Sequence, residues 1–356
     1  MNKYNFSPGP AKLDSSIISK SQVAISNYEK TGLSILEVGH RSKEFGKLVD
    51  SLEENLRDIF DIPKNYFVLL LQGGATYQNT FIANNFGKAN KLMACLVTGT
   101  WGKYTSDDFS KIRETKIIDL SQNEIENYVK KPWDLDGVDF LHLTSNETIN
   151  GVQLREFNKI KHNSLLIDMS SDIGSYSFEW DNLAYVYAGA QKNMGIPGVS
   201  ICIGDEKYLN SEDNSRYLNL GQLVEKNSLL NTPPTFSIYV LKLVTDWMIA
   251  MGGINHFEEK SIRQSSRLYE QLESYGDFVI IPVSDYSKSR SNIIFKFKNE
   301  DLEKKFLIEA TEKGILGLNG HRSQGGIRIS LYNSITDEMV DYLSEYIDKF
   351  FADNGK

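Results

Sequence analysis

The chain has 356 residues, 40% of them apolar and 24% charged, a composition that excludes the disordered class. Its length predicts two domains around separate cores. A net charge of −8 argues against a nucleic-acid partner, which needs a basic excess, but leaves room for an anionic small molecule held by a few clustered arginines.

The opening MNKYNFSPGP has no apolar core of signal-peptide length. The most apolar long stretch, residues 236–251, is interrupted by Lys242, Asp246 and Trp247 and is short for a bilayer. A cytoplasmic protein with no membrane span is therefore expected. From about residue 66 to 204, short apolar runs alternate with polar, helix-like segments. Runs at 66–71, 91–98, 116–120, 140–144, 164–168 and 183–187 predict strands buried on both faces, hence a mostly parallel α/β sheet. The run 199–203 follows Lys192 too closely for a helical crossover, so that strand is expected antiparallel to its predecessor. Cys95 and Cys202 lie inside these runs and read as buried thiols.

Residues 235–251 predict a long apolar helix, started after Pro233-Pro234 and stopped by Gly252-Gly253. Beyond it the pattern gives a helix at 262–275, strands at 278–281 and 292–297, and a helix at 302–313. A strand at 327–331 and a final helix at 337–351, capped by Thr336, complete the chain. The expected division is a large α/β domain over 15–253 and a smaller α+β domain over 254–356, joined by residues 1–14.

Absent motifs narrow the chemistry. No two glycines are separated by a single residue, so the dinucleotide fingerprint is missing. The nearest approach to a P-loop, Gly102-Lys103, is followed by Tyr104 and has Val97 where the first glycine belongs. The five histidines and two cysteines show no zinc-like spacing, and no metal is expected.

Several stretches carry candidate chemistry. In YFVLLLQGGATYQNTF, Gly73-Gly74 closes a buried strand and a helix begins near Ala75 or Thr76. Its free N–H groups suit a phosphate, although a plain strand-to-helix turn reads the same way. Asp168, at the exit of SLLIDMSS, is either a turn cap or a carboxylate paired with a pyridine nitrogen. Lys192 follows the strand and small residues of LAYVYAGAQKNMGIPG. Lysines are ordinarily solvated, but apolar flanks would leave this amine poorly hydrated and neutral, as Schiff-base formation requires. The tetrapeptide Gly-His-Arg-Ser occurs at residues 39–42 and again at 320–323, with Arg328 shortly after. Either copy alone reads as a solvated loop, whereas two suggest paired anion sites. Trp101 follows a strand end and is either core filler or a stacking surface. Asn231 and Thr232 precede the long helix, where such residues are ordinarily caps.

Taken in order, NFSPGP, GHRS, QGGAT, TGTW, SNETINGV, IDMSSDI, YAGAQKN, NTPPTF and NGHRSQGGIRISLYN resemble the phosphoserine aminotransferases, class-V enzymes of the fold-type-I pyridoxal-phosphate group. The resemblance runs nearly the whole chain and implies a homodimer with shared sites. It implies that Lys192 holds pyridoxal 5'-phosphate as a Schiff base and later moves a proton, while Asp168 binds the pyridine nitrogen. Trp101 is implied to stack on the ring and Thr148 to bond its hydroxyl oxygen. Gly74, Ala75 and Gln191 are implied to hold the cofactor phosphate, with Asn231 and Thr232 of a second subunit. Arg328 is implied to clamp the substrate α-carboxylate. His321 and Arg322, with His40 and Arg41 of the partner chain, would take a substrate phosphate or the glutamate side chain. The turn Gly195-Ile196-Pro197-Gly198 departs from the family, which more often places proline directly after glycine.

The implied reaction exchanges an amino group between phosphoserine and 2-oxoglutarate, giving 3-phosphohydroxypyruvate and glutamate. The resemblance also permits 4-phosphohydroxythreonine of vitamin B6 synthesis. The rival readings are a cysteine desulfurase or alanine–glyoxylate aminotransferase on the same fold, and a binding protein that has lost chemistry. A desulfurase needs a mobile reactive cysteine, and a small-amino-acid transaminase has no use for two His-Arg pairs.

Overall fold

The computed structural model describes residues 3–86, 91–120, 135–209 and 215–354. The chain opens with a short strand, β1 (Tyr4–Asn5), and two helices, α1 (Ser15–Ser26) and α2 (Lys43–Phe60). Along α2, Phe45, Leu48, Val49, Leu52, Leu56 and Ile59 recur at three- and four-residue spacings and all are buried, the stripe of an amphipathic helix. Ser42 caps it, accepting the Phe45 N–H at 3.2 Å. No strand-like apolar run precedes Tyr66, so the sequence pattern alone predicts no element here.

The central sheet takes β2 (Tyr66–Leu71), β3 (Leu92–Val97), β4 (Thr115–Asp119) and β5 (Val138–Thr144). A small hairpin, β6 (Asn146–Glu147) and β7 (Val152–Gln153), follows, and then β8 (Leu165–Asp168), β9 (Leu183–Gly189) and β10 (Ser200–Asp205). The order is β2-β10-β9-β8-β5-β3-β4. β10 runs antiparallel to both neighbours and the other pairs are parallel, as expected from the short turn after Lys192. One expectation fails at the sheet edge. β4 is not buried on both faces: Ile117 and Asp119 are exposed, whereas β2 at the opposite edge is buried throughout.

Two helices follow strand ends directly, α3 (Gly74–Asn85) after β2 and α4 (Thr100–Ile112) after β3. Further on lie α5 (Leu220–Glu225), α6 (Thr235–Ala250) and α7 (Gly253–Ser274). Gly252 and Gly253, at φ 107° and 71°, end α6 as expected, but they also launch α7 at once, at 82° to it. The helix expected from residue 262 thus starts nine residues earlier, since left-handed glycines allow a corner without a loop. No single helix among the described residues is long and apolar enough to cross a membrane.

The C-terminal part contains β11 (Val279–Ile280), β12 (Asn292–Phe297), α8 (Glu300–Glu312), β13 (Ile315–Leu316), β14 (Ile327–Ser330) and α9 (Asp337–Asn354). β11-β12-β14 form an antiparallel sheet, and β13 pairs in parallel with β1. Thr336 caps α9, accepting the Met339 N–H at 3.3 Å. Three apolar cores result. Two lie on either face of the large sheet, around Leu96 and Leu143 on one side and around Phe81 and Tyr185 on the other. The third joins Phe6 to Phe295, Phe306 and Phe350. α7 supplies Phe257 to the first core and Leu268 and Leu272 to the third, so the expected division near residue 253 falls at the head of a helix serving both.

Interior packing is close enough to refuse added volume. A Cβ at Gly204 of β10 would lie 2.4 Å from Phe67 Cζ and 2.9 Å from Tyr185 Cδ2. Gly204→Val should therefore lower unfolding free energy by about 1–3 kcal/mol, read as a reduced midpoint in urea. An unchanged midpoint would show that the two rings yield freely.

Candidate active site

Parallel strands that end together leave their loops at one edge of the sheet, the edge where α/β proteins bind ligands. Register places Thr144 of β5, Asp168 of β8 and Tyr187 of β9 side by side. Asp168 and, five residues past Tyr187, Lys192 therefore emerge at the same edge. A cavity of about 730 Å³ opens there, and both residues line it.

Asp168 Oδ1 accepts the Ser170 N–H at 2.9 Å and the Ser170 hydroxyl at 2.6 Å. Both bonds fall on one oxygen, leaving Oδ2 for a further donor. Burial raises the Asp168 pKa, opposed by the Ser170 bonds and by Lys192. The Lys192 pKa is lowered, first by desolvation and also by Arg328, while Asp168, Asp172 and Glu147 pull it up. Its Nζ stands 5.9 Å from the centre of the Trp101 ring. The cause expected from the apolar flanks is thus the leading one, and the outcome is an amine nearer neutrality than an ordinary lysine.

The turn after β2 is built for an anion. Gly73 and Gly74 take φ 90° and 66°, and no side chain caps α3. The first amides of Gly74, Ala75 and Thr76, all lining the cavity, are left free at the positive end of the helix dipole. Gln191 lines the same wall.

The opposite wall is tied to the hairpin. Trp101 donates its indole N–H to Thr148 Oγ at 2.9 Å. Its backbone N–H and that of Gly102 go to Glu147 Oε2 and Oε1 at 3.0 and 2.7 Å. Burial pushes the Glu147 carboxyl up to about 7 against those two donors. Beneath lies Asp172, bound by Ser145, Gln153 and Tyr176 and pushed up to about 6 by burial. Arg328 reaches in from β14, donating Nη1 to the Thr148 carbonyl at 3.2 Å. Its Nε is buried without a partner, and no carboxylate pairs with it among the described residues. A buried cation with no counter-ion is costly unless an anion arrives.

Within one chain the cavity gathers Gly74, Ala75, Trp101, Thr148, Asp168, Gln191, Lys192, His321 and Arg328. His40, Arg41, Asn231, Thr232 and Arg322 are not in its lining. Arg41, Arg322, Asn231 and Thr232 are exposed. His40 Nε2 is buried without a partner, and the Thr232 carbonyl accepts from Gln72 Nε2 at 2.6 Å, beside the β2–α3 turn. The two Gly-His-Arg-Ser copies differ locally: Ser42 caps a helix, whereas Ser323 bonds His321 Nδ1 at 2.8 Å.

Sequence reasoning passed over Ser170, Glu147, Asp172 and the Pro8-Gly9-Pro10 segment, which also lines the cavity. Only Ser170, two residues beyond Asp168, had a local signal, the Asx-type turn. The others reach the site through tertiary contacts, as when the Ala11 N–H bonds the Gln191 carbonyl at 2.9 Å. Neither cysteine lines the cavity. Both are buried, and burial raises both thiols, Cys202 to about 12. The described residues include no group of three or more potential metal ligands.

Free helix-start amides, a half-bonded and half-buried carboxylate, a partly desolvated lysine and a flat indole wall fit a phosphorylated pyridine cofactor. The comparisons with known proteins agree. The class-V aminotransferase family model matches residues 3–343. Phosphoserine aminotransferase of Streptococcus agalactiae is 38% identical over 367 aligned positions, covering 100% of both chains. The solved phosphoserine aminotransferase of Bacillus circulans subsp. alkalophilus superposes with a TM-score of 0.94 at 34% identity, covering 99% of each chain. The pyridoxal-phosphate-bound enzyme of Trichomonas vaginalis gives 0.91 at 28% identity, over 98% of this chain and 100% of that one. This chain belongs to the phosphoserine aminotransferase family of class-V, pyridoxal-phosphate-dependent aminotransferases.

Proposed function

We propose that the protein transfers the amino group of phosphoserine to 2-oxoglutarate, reversibly, giving 3-phosphohydroxypyruvate and glutamate in serine biosynthesis. The observation that carries this reading is Arg328, a buried guanidinium with an unpartnered Nε, in the same cavity as Lys192 and Asp168. The substrate α-carboxylate supplies the missing anion, and the planar fork fixes its orientation.

Pyridoxal phosphate, when bound, supplies a carbonyl carbon for the substrate amine and a ring that accepts electrons from Cα. The chain does the rest. Gly74, Ala75 and Gln191 would hold the phosphate, with the uncapped α3 start as the principal donor. Asp168 would keep the ring nitrogen protonated through its spare Oδ2, and Trp101 and Thr148 would fix the ring plane. Lys192 would act as the base at the substrate Cα, and desolvation, which lowers its pKa, favours the neutral amine that role requires.

The distal anion is the substrate phosphate in one half-reaction and the side-chain carboxylate of glutamate in the other. His321 lines the cavity and Arg322 follows it on an exposed loop. His40, Arg41, Asn231 and Thr232 would come from a second copy, making the working unit a homodimer with shared sites, in the cytoplasm. In support, none of the four lines its own chain's cavity, and three are exposed. The buried, raised thiols disfavour a desulfurase.

Adding L-phosphoserine, without keto acid, to cofactor-loaded protein should replace the yellow visible band by near-ultraviolet absorption, and 2-oxoglutarate should restore it. A band that survives phosphoserine but is bleached by another amino acid would assign a different substrate. Arg328→Gln should cut kcat/KM for phosphoserine by roughly 10²-fold or more, the scale of a lost buried charge pair. Arg41→Ala and Arg322→Ala should each raise KM for phosphoserine about ten-fold while leaving the cofactor dissociation constant nearly unchanged. Equal loss of cofactor binding would count against their distal-anion role.

A further inference from the structure

The hairpin carries a carboxylate that the transfer chemistry does not use. Glu147 is fully buried, yet no lysine or arginine pairs with it among the described residues. Its oxygens accept instead from the N–H groups of Trp101 at 3.0 Å and Gly102 at 2.7 Å. These are among the orphan amides at the start of α4, where a carboxylate also meets the positive end of the helix dipole. The helix has no cap of its own, because Gly99 stands at the N-cap position. A remote acid therefore does the work usually given to a local serine or aspartate.

The fit is tight. A Cβ on Gly99 would lie 2.6 Å from Glu147 Cδ and 2.7 Å from Oε2. The φ of Gly99, −174°, suits any residue, and the three atoms nearest to a side chain there all belong to Glu147. Thr148, the next residue, accepts the Trp101 indole N–H at 2.9 Å, and its carbonyl accepts Arg328 Nη1 at 3.2 Å. Two consecutive residues thus hold the backbone of Trp101, its ring and the carboxylate clamp.

We propose that Glu147 is a positioning residue: by capping α4 beside Thr148, it sets the plane and depth of the Trp101 indole at the cofactor wall. The inference rests on the proposed function, in which Trp101 faces the cofactor. Glu147→Gln keeps the shape but offers one acceptor oxygen and turns an NH₂ group toward the second N–H. Gly99→Ala displaces the same carboxylate from the other side.

Both variants should be prepared with pyridoxal phosphate bound and 5-fluorotryptophan incorporated. The Trp101 fluorine line is assigned by its loss in Trp101→Phe. The line of Trp180, which is buried and bonded to the Phe60 carbonyl, serves as the internal control. Each variant should move the Trp101 line, leave the Trp180 line in place, and weaken cofactor retention by roughly ten-fold, the scale of one charge-assisted hydrogen bond. Combining Gly99→Ala with Glu147→Ala should add little to Glu147→Ala alone, since the clash partner is gone.

A Trp101 line and cofactor affinity unchanged in both variants would overturn the proposal. A shift of both tryptophan lines together would also overturn it, by showing general loosening. If the variants do not fold, hydrogen exchange in the wild-type holoenzyme decides. The Trp101 and Gly102 amides should be at least about ten-fold more protected than those of Ile254 and Asn255 at the uncapped start of α7, and equal exchange would sink the idea. Failure of the functional reading looks different, because wild-type protein would then show no visible cofactor band, or one that phosphoserine leaves unbleached.

Discussion

The site depends on one constraint: an amine and a carboxylate taken out of water at neighbouring strand ends. Desolvation lowers the pKa of Lys192 and raises that of Asp168, so burial moves both groups toward neutrality while their attraction pulls them back. In water each would keep its charge and the lysine would be a poor nucleophile. The parallel register that aligns Thr144, Asp168 and Tyr187 puts the pair at one edge with an apolar sheet behind. Changing that register by one residue would turn Asp168 to the other face, so the fold's topology and the site's electrostatics are one design.

Around this pair the charges are deliberately incomplete. Lys192 and Arg328 share one end of the molecule with Asp168, Asp172 and Glu147. Burial pushes Glu147 to about 7 and Asp172 to about 6. A carboxyl whose folded pKa is raised favours the folded state in its protonated form. That contribution is present below the ordinary carboxyl pKa and is lost as pH rises through 6 and 7. Near neutrality the site therefore costs stability, as functional sites commonly do. An acidic protein can still present a cation to an anionic group, because Arg328 stands in the cavity with no carboxylate paired to it among the described residues.

Most of the central sheet was readable because its strands are buried on both faces and so stand out as apolar runs. The antiparallel turn of β10 followed from chain length alone. Asp168 and Lys192 were legible for the same reason, each standing at the end of such a run. The misses have equally physical causes. α2 signals itself only by three- and four-residue spacing. β4 kept its apolar residues although it lies at an edge. α7 begins at a glycine pair that punctuates a helix in sequence but makes a corner in space. Glu147, Asp172 and the Pro8-Gly9-Pro10 segment lie inside stretches that carry the family resemblance, yet no role could be read for them, since their meaning lies in partners far along the chain.

The repeated tetrapeptide shows how sequence similarity and structural equivalence part company. Both copies suggested anion sites, yet Ser42 closes a helix start while Ser323 steadies a histidine, and only His321 of the four His and Arg residues lines the cavity. In the proposed arrangement a single chain would bring Arg328 as the proximal clamp, with His321 and Arg322 toward the distal anion. A distal pocket able to accept both a phosphate and a carboxylate needs more donors than that, because a phosphate presents three oxygens to satisfy. The exposed Arg41 would add to that capacity only if a second copy closes over the opening. Dimerisation would then complete the specificity of the site, while Asp168, Lys192, Trp101 and Thr148 are already assembled around one cavity within one chain.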